Sequence, residues 1–307
     1  MNKIVGLIAG TSGDSLTDRI QSYGYKVALV SGSSNEPGCN TCDKLLVCDL
    51  GEAKSIVNFF LSVGVEFVVM GTGHYKAIEL LPELEKNGIV TNLDLSKYNL
   101  VKDKLAFKKY LVELGYRTPN FIELYNNEEL FANKEVIRFP CVLKSAIDVV
   151  QPIKVDCFTR LEKGCNSIFS KGSAALIEEY VDGSDCTVAV ANDNGVIEDF
   201  GVIYYSKAKE YKLEGFNNAR ADKLDEKLEF KITKLSRQLV SDVDIPGLVR
   251  VDFVVKDELL YILEINAVMV TGYNGSAYPF FASQNIDIAS IMARVSLNIC
   301  KSKVNGL

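Results

Sequence analysis

The sequence predicts a mixed architecture, α/β followed by α+β. In the first hundred residues, apolar strand-like runs alternate with helix-like segments, the pattern of a parallel sheet covered by helices. After Pro119 the alternation gives way to strand-like pieces joined by short polar turns, the pattern of antiparallel sheets. With 307 residues, 48% of them hydrophobic, the chain is long enough for more than one packed unit.

The first unit covers residues 1–97 and reads as Rossmann-like. KIVGLIA, KVALV, EFVVM and GIVT are its strands, and segments 13–23, 52–63 and 76–87 are its helices. The strands are nearly continuous apolar runs, as expected when both faces of a parallel sheet are covered. Gly6, Gly10 and Gly13 do not have the G-x-G-x-x-G spacing, and Ser31-Gly32-Ser33-Ser34 stands where an acidic ribose ligand should end the second strand. A nicotinamide-dinucleotide enzyme is therefore disfavoured. Gly71-Thr72-Gly73-His74 follows the third strand, at the carboxyl edge where such sheets bind ligands; a tight strand-to-helix connection would explain it equally well.

A helix follows in KDKLAFKKYLVELG, with Leu105, Tyr110, Leu111 and Leu114 near one face and Gly115 as its stop. FIEL, CVLK and ALIEEYV read as strands, and TVAVA and GVIEDFGVIYYS flank an Asn-rich turn. Residues 223–243 form one amphipathic helix. VRVDFVV and LLYILEIN are two strands across a Lys-Asp-Glu turn, and a last helix runs from about Asp287 to Cys300.

Composition narrows the function. Lys and Arg number 34 against 40 Asp and Glu, for a net charge of −6, so the basic excess of a nucleic-acid surface is missing. No apolar stretch reaches the roughly 18–20 residues of a membrane span, and the N-terminal run reads as a strand rather than an export signal; a cytoplasmic protein is expected. The 8 cysteines lie mostly in apolar text. Cys39 and Cys42 make a lone C-x-x-C with His74 as the only histidine, too few ligands for a structural zinc site.

The C-terminal hairpin carries the chemistry. Asp252 interrupts an apolar strand, and Glu264 and Asn266 end the next; Arg250 shares a face with Asp252, and Glu264 shares one with Asn266. If the register pairs even with even numbers, all four converge. Two carboxylates and an amide oxygen would make a hard-oxygen site suited to Mg2+ shared with substrate phosphates, with Arg250 beside it for an anionic oxygen. A cross-strand ion pair between Arg250 and Glu264, with Asn266 capping the strand end, is the plainer alternative. Lys104 opens a helix and Lys144 ends a strand, so both cations stand on rigid elements. Glu178 and Glu179 precede the turn Asp182-Gly183-Ser184-Asp185, which could offer carboxylates and open backbone to a ligand or be a simple hairpin turn.

In their order, KDKLAFKKYL, FPCVLK, ALIEEYVDGSDCTV, RVDFVV and YILEIN resemble the signatures of the ATP-grasp superfamily. The closest likeness is to its carboxylate-amine ligase branch, which includes D-alanine:D-alanine ligase, and carbamoyl-phosphate-synthase-like members share the pattern. The resemblance implies a pre-ATP-grasp domain at 1–97, a central subdomain at 98–184 and a C-terminal subdomain with the metal site at 185–307. It implies ATP and one or two Mg2+ (or Mn2+) as cofactors, small-molecule carboxylate and amine substrates of the amino-acid or peptide class, and it allows a homodimer. By the same resemblance Lys104 and Lys144 hold ATP phosphates, and Glu178, Glu179 and Val181 line an adenine slot. Asp185 faces the ribose, and Lys209, with Lys207 nearly as good a match, faces a phosphate. Asp252, Glu264 and Asn266 hold the metal, and Arg250 steadies an acyl phosphate. Candidate substrate contacts are His74 and Tyr75 from the first unit and Tyr273, Asn274, Ser276 and Tyr278 from the segment after the metal strand.

The sequence departs from the family pattern in two places. The segment after Lys144, SAIDVVQPIKV, lacks glycine; Ile147, Val149 and Val150 are β-branched and Pro152 has no N–H, so 145–152 cannot form the usual open nest around phosphates. After Asn266 the chain reads Ala267-Val268-Met269-Val270 where the family has small residues and Pro-Gly. These departures leave a second reading open: an ATP-binding regulatory protein, or one of weak catalysis.

Overall fold

A computed structural model describes residues 3–205, 224–275 and 277–306. The first sheet is parallel. It is built from β1 (Ile4–Ile8), β2 (Lys26–Ser31), β3 (Lys44–Val47) and β4 (Val65–Met70) in the order β3-β2-β1-β4, with α1 (Gly13–Ser22) and α2 (Ala53–Val63) as crossovers. β3 is the strand of this sheet that the sequence reading lacks: KLLV is a four-residue, largely exposed edge strand whose apolar run is too short to mark a strand. The expected strand GIVT is reduced to a single bridge, Val68 to Thr91. The expected helix 76–87 is two short helices, α3 (Tyr75–Glu79) and α4 (Leu81–Lys86), the second opening with Pro82 in its first turn.

Two further helices lead out of this unit. Asp94 caps α5 (Leu95–Lys102), and Asp103 caps α6 (Lys104–Glu113) by accepting the N–H groups of Leu105 and Ala106 at 3.0 Å. Asp103 thus ends one helix and starts the next, so that Lys104 sits at a fixed helix start.

The second sheet is antiparallel, with β5 (Phe121–Leu124), β6 (Cys141–Ser145), β7 (Ile153–Val155) and β8 (Ala175–Glu179) in the order β5-β8-β6-β7, flanked by α7 (Asn127–Ala132) and α8 (Phe158–Phe169). Leu124, Leu143, Leu161, Ile168 and Ile177 form its own core, separate from the rest of the molecule. In the third sheet, also antiparallel, β9 (Ser184–Asp193), β10 (Val196–Tyr205), β11 (Gly247–Lys256) and β12 (Leu259–Asn266) run in the order β10-β9-β11-β12. The helix expected at 223–243 is α9 (Glu226–Val243), and after α10 (Tyr278–Ser283) comes the last helix, α11 (Ile288–Asn305), longer than its sequence pattern suggested.

Helix α11 joins the first and third sheets: Met292 and Leu297 share a core with Val5, Leu7 and Phe67 on one side and Ala189 and Leu248 on the other. Tyr98, Val101, Phe107 and Leu111 of α5 and α6 pack into the core of the third sheet. Leu105, on another side of α6, meets Ala146 and Leu176 of the second sheet's face. The two antiparallel sheets therefore meet along α6, and the cleft between them is where the charged residues gather. No described helix is long and apolar enough to cross a membrane, and all 8 cysteines are free thiols.

Candidate active site

A cleft of about 560 Å³ opens between the second and third sheets. On one side lies the β11–β12 hairpin. Arg250 stands opposite Asn266 and Asp252 opposite Glu264, so the four polar side chains do share one face. Asp252 is fully buried. Its Oδ1 accepts from the Thr187 hydroxyl at 2.6 Å, and its Oδ2 lies 3.2 Å from Arg250 Nη2 and 3.1 Å from Asn266 Nδ2. The same amide nitrogen is 3.4 Å from Glu264 Oε1. Arg250 makes this ion pair with Asp252 on its own strand, and across the ladder it faces Asn266 rather than Glu264.

Facing the hairpin is a buried charge relay. Lys144 Nζ lies 2.8 Å from Glu178 Oε2, and Glu178 Oε1 lies 3.1 Å from Lys108 Nζ. Lys108 also donates to the Thr118 hydroxyl, which donates to the Ile262 carbonyl at 2.7 Å and so ties the relay to β12. Burial pushes the Glu178 carboxyl up, but Lys144 and Lys108 together outweigh it and hold the group below its ordinary range. Burial likewise opposes the charge on Lys144; Glu178, then Glu264 and Asp252, overcome it and raise the ammonium above its usual value. Lys108 takes the cost: burial lowers it to about 8, with Glu178 opposing and the like charge of Lys144 adding to the fall.

At the mouth, Lys102 and Lys104 both pair with Asp148 of the segment after β6. That segment is folded back on itself, for the N–H groups of Val149 and Val150 both donate to Ser145 Oγ at 3.3 Å. Those amides are engaged internally, in keeping with a glycine-free stretch that cannot open into a nest. Glu179, Val181 and Asp185 line the same cleft, as does Gly183, where a Cβ would sit 2.4 Å from the Val255 carbonyl oxygen. Glu179 Oε2 accepts from Asn120 Nδ2 at 2.8 Å.

Gly73 lines the cleft, whereas His74 and Tyr75 do not: their rings stack at 4.7 Å, with Tyr75 exposed. Tyr273, Asn274 and Tyr278 also lie outside its lining. Tyr273 donates to Asp18 at 2.8 Å and packs edge-on against Tyr278. His74 and Tyr75 thus pair with each other, and Tyr273 is taken up by Asp18 of α1 and by Tyr278 at the start of α10. Lys207, Lys209 and Ser276 lie outside the described residues.

Sequence reasoning missed Lys102, Lys108, Asp148 and Thr187. For Lys108 a signal existed, since it stands three residues from both Leu105 and Leu111 and hence between two apolar positions of α6. Thr187 pairs with Asp252 across β9 and β11, a register that the sequence does not reveal. Among the described residues no group of three or more His, Cys, Asp or Glu side chains could hold a metal; the hairpin supplies two carboxylates and an amide.

A family model described as "D-ala D-ala ligase C-terminus" matches residues 113–294, more than half of the chain. The chain belongs to this family. Four of the five motifs quoted above fall inside the match, so the ATP-grasp resemblance holds at the level of family and fold. D-alanine–D-alanine ligase from Finegoldia magna is 31% identical over 153 residues, which is 47% of this chain and 43% of that ligase. The chain spans about half the length of the curated relatives it matches, from 43% to 61%. Among solved structures, D-alanine–D-alanine ligase from Bacillus anthracis complexed with ATP superposes with a TM-score of 0.74 at 19% identity, covering 99% of each chain. The L-amino acid ligase from Bacillus licheniformis gives 0.76 at 17% identity, covering 96% of this chain and 75% of that one. Both likenesses show that this chain shares the fold of those two ligases.

Proposed function

We propose that this chain is an ATP-dependent ligase that joins a carboxylate to an amine, with an amino acid or short peptide as substrate. One observation carries the reading: Arg250, Asp252, Glu264 and Asn266 converge on one wall of a cleft whose other walls present Lys144 and Lys104. Cations on one side and clustered hard-oxygen donors on the other are what a polyphosphate tail with a divalent ion requires.

The residues fit Mg2+. Asp252 and Glu264 approach each other closely enough for one Asn266 amide nitrogen to touch both, and turning that amide over would present its oxygen to a cation between them. Two carboxylates and an amide are a partial shell, the kind Mg2+ completes with phosphate oxygens and water. Bound there, Mg2+ would neutralise the phosphates and polarise the γ-phosphoryl group.

The chain's own residues do the rest. Lys144 and Lys104 bind and orient the phosphate tail, with Lys144 kept charged by Glu178. Glu179, Val181 and Asp185, on the rim from the end of β8 to the start of β9, would receive the adenosine. A substrate carboxylate oxygen attacks the γ-phosphorus as the bond to ADP breaks, and Arg250 steadies the acyl phosphate formed. The amine then attacks the acyl carbon, phosphate leaves, and the amine proton passes to phosphate or solvent. No enzyme nucleophile is needed.

Asp148 bound to both lysines at the cleft mouth favours a second reading, an ATP-binding protein of weak turnover. ADP release measured with Mg2+ and ATP over a panel of amino acids and amines separates the two. Turnover that depends on both a carboxylate and an amine supports the ligase. Nucleotide binding without amine-dependent ADP release overturns it in favour of the second reading.

A further inference from the structure

The segment between β6 and β7 replaces the glycine-rich closure with a carboxylate. Asp148 reaches from it to both Lys102 and Lys104, and all three line the cleft. Lys102 and Lys104 lie on either side of Asp103, at the end of α5 and the start of α6, so their ammonium groups are presented from a rigid corner. The base of the segment is pinned to that corner: the Lys104 N–H donates to the Ala146 carbonyl at 2.9 Å, and the Ala146 N–H donates to Ala174 at 2.9 Å. Further along, Lys171 holds the Val149 carbonyl at 3.1 Å. Asp148 is therefore delivered to the two lysines by a short, tethered arch.

The position of this pair matters as much as its charge. Burial opposes the charge on Lys102, but Asp148 and, more weakly, Tyr98 and Glu264 raise the ammonium above its ordinary value, so Lys102 lies within the field of Glu264 on the hairpin. The Asp148 carboxyl, pushed up by burial, is pulled down further by Lys102 and Lys104. A carboxylate held by two lysines in a cleft also lined by Lys144 fills the place that an anionic phosphate oxygen would take.

Resting on the nucleotide reading above, we infer that Lys102 is a phosphate ligand of this cleft alongside Lys104, and that Asp148 is an internal stand-in for the phosphate, which it holds out until a polyphosphate displaces it. Two amides of the segment, those of Val149 and Val150, are bonded to Ser145, so closure over the nucleotide depends on these side-chain charges in place of those backbone N–H groups. Binding must break two ion pairs, and the cost falls on the polyphosphate tail rather than on the adenosine.

The test is the affinity of the full chain for ATP, ADP and AMP with Mg2+, by calorimetry, for wild type, Asp148→Asn, Lys102→Met and the double variant. Asp148→Asn should bind ATP and ADP roughly threefold to tenfold tighter, the scale of partly exposed ion pairs, with AMP unchanged. Added salt should narrow that gain. Lys102→Met should weaken ATP by a similar factor while sparing AMP, and in the double variant the gain from Asp148→Asn should shrink. If Asp148 only anchors the arch, Asp148→Asn will bind ATP equally or more weakly, and the inference is overturned while the nucleotide reading stands. Equal tightening of ATP and AMP also overturns it. A wild-type chain and an Asp148→Asn variant that both bind no nucleotide would remove the nucleotide reading and this inference together.

Discussion

Asp252 faces Glu264 because the ladder between β11 and β12 slips by one residue beyond Phe253. The strands leave the Asp257-Glu258 turn with Lys256 opposite Leu259, Val254 opposite Tyr261 and Phe253 opposite Ile262. Continued, that register would set Asp252 against Leu263 and turn Glu264 to the other side of the sheet. The slip makes Leu263 the extra residue and brings both carboxylates into the cleft. Glu264→Gln should therefore weaken divalent-ion binding at least about 10–100-fold, the range known for losing even an outer partner of a metal ligand. Mn2+ titration by electron paramagnetic resonance, with ADP present, measures it; an unchanged affinity would separate Glu264 from the metal.

The same slip marks the limit of what could be read in the sequence. The even-numbered convergence of Arg250, Asp252, Glu264 and Asn266 could be proposed from strand alternation, but nothing local reveals the bulge that produces it. Motif order made the polar hairpin, Lys144 and the rim after β8 readable. Partners supplied by distant strands were not: Thr187 meets Asp252 only through the β9–β11 pairing, and Lys108 meets Glu178 only once α6 lies against β8. Edge strand β3 is not readable because its apolar run, Leu45 to Val47, is too short to distinguish a strand from other structure. For His74, Tyr75, Tyr273 and Tyr278 the sequence offers only their place beside the cleft-facing segments, and side chains there can pair with one another or with a helix, as Tyr273 does with Asp18, as readily as line a cleft.

Lys108 gives a test of the buried relay. It is 1% exposed, and Lys108→Met leaves Glu178 with one counter-charge, so the chain should lose about 3–5 kcal/mol in urea unfolding. Stability should also change with pH. Burial lowers the folded ammonium to about 8, against 10.5 for an ordinary lysine, so between those values the unfolded chain binds a proton that the folded chain has released. Wild-type stability, measured relative to Lys108→Met, should then rise with pH across that window and stay level below it. A wild-type-minus-variant difference that falls over the same range would contradict the buried, proton-poor lysine.

Gly272 tests how the segment after β12 is held. A Cβ there would stand 2.0 Å from the Thr11 carbonyl oxygen, while the neighbouring Thr271 N–H donates to Ser12 Oγ at 3.0 Å. The obstacle is backbone, which cannot rotate aside. Gly272→Ala should destabilise the chain by about 1–3 kcal/mol through overpacking. Hydrogen exchange should quicken first at the Thr271 amide; a melting temperature equal to that of wild type would show that the contact is loose.

Arg250 tests the chemistry itself. Its side chain is a quarter exposed and its Nη2 lies 3.2 Å from Asp252, and the planar donor array of a guanidinium suits an anionic oxygen in the cleft it lines. If that second contact forms only as charge develops on the transferring group, Arg250→Met should lower amine-dependent ADP release about 10²–10³-fold and leave ATP affinity within a few-fold. Lysine keeps the charge but loses the fork, so Arg250→Lys should recover only part of the rate. Mn2+ affinity must be measured on the same variants, because removing the arginine also takes a counter-charge from Asp252. Turnover that falls while Mn2+ affinity holds assigns Arg250 to the reacting oxygens. A parallel fall in both would make it a support for Asp252 alone.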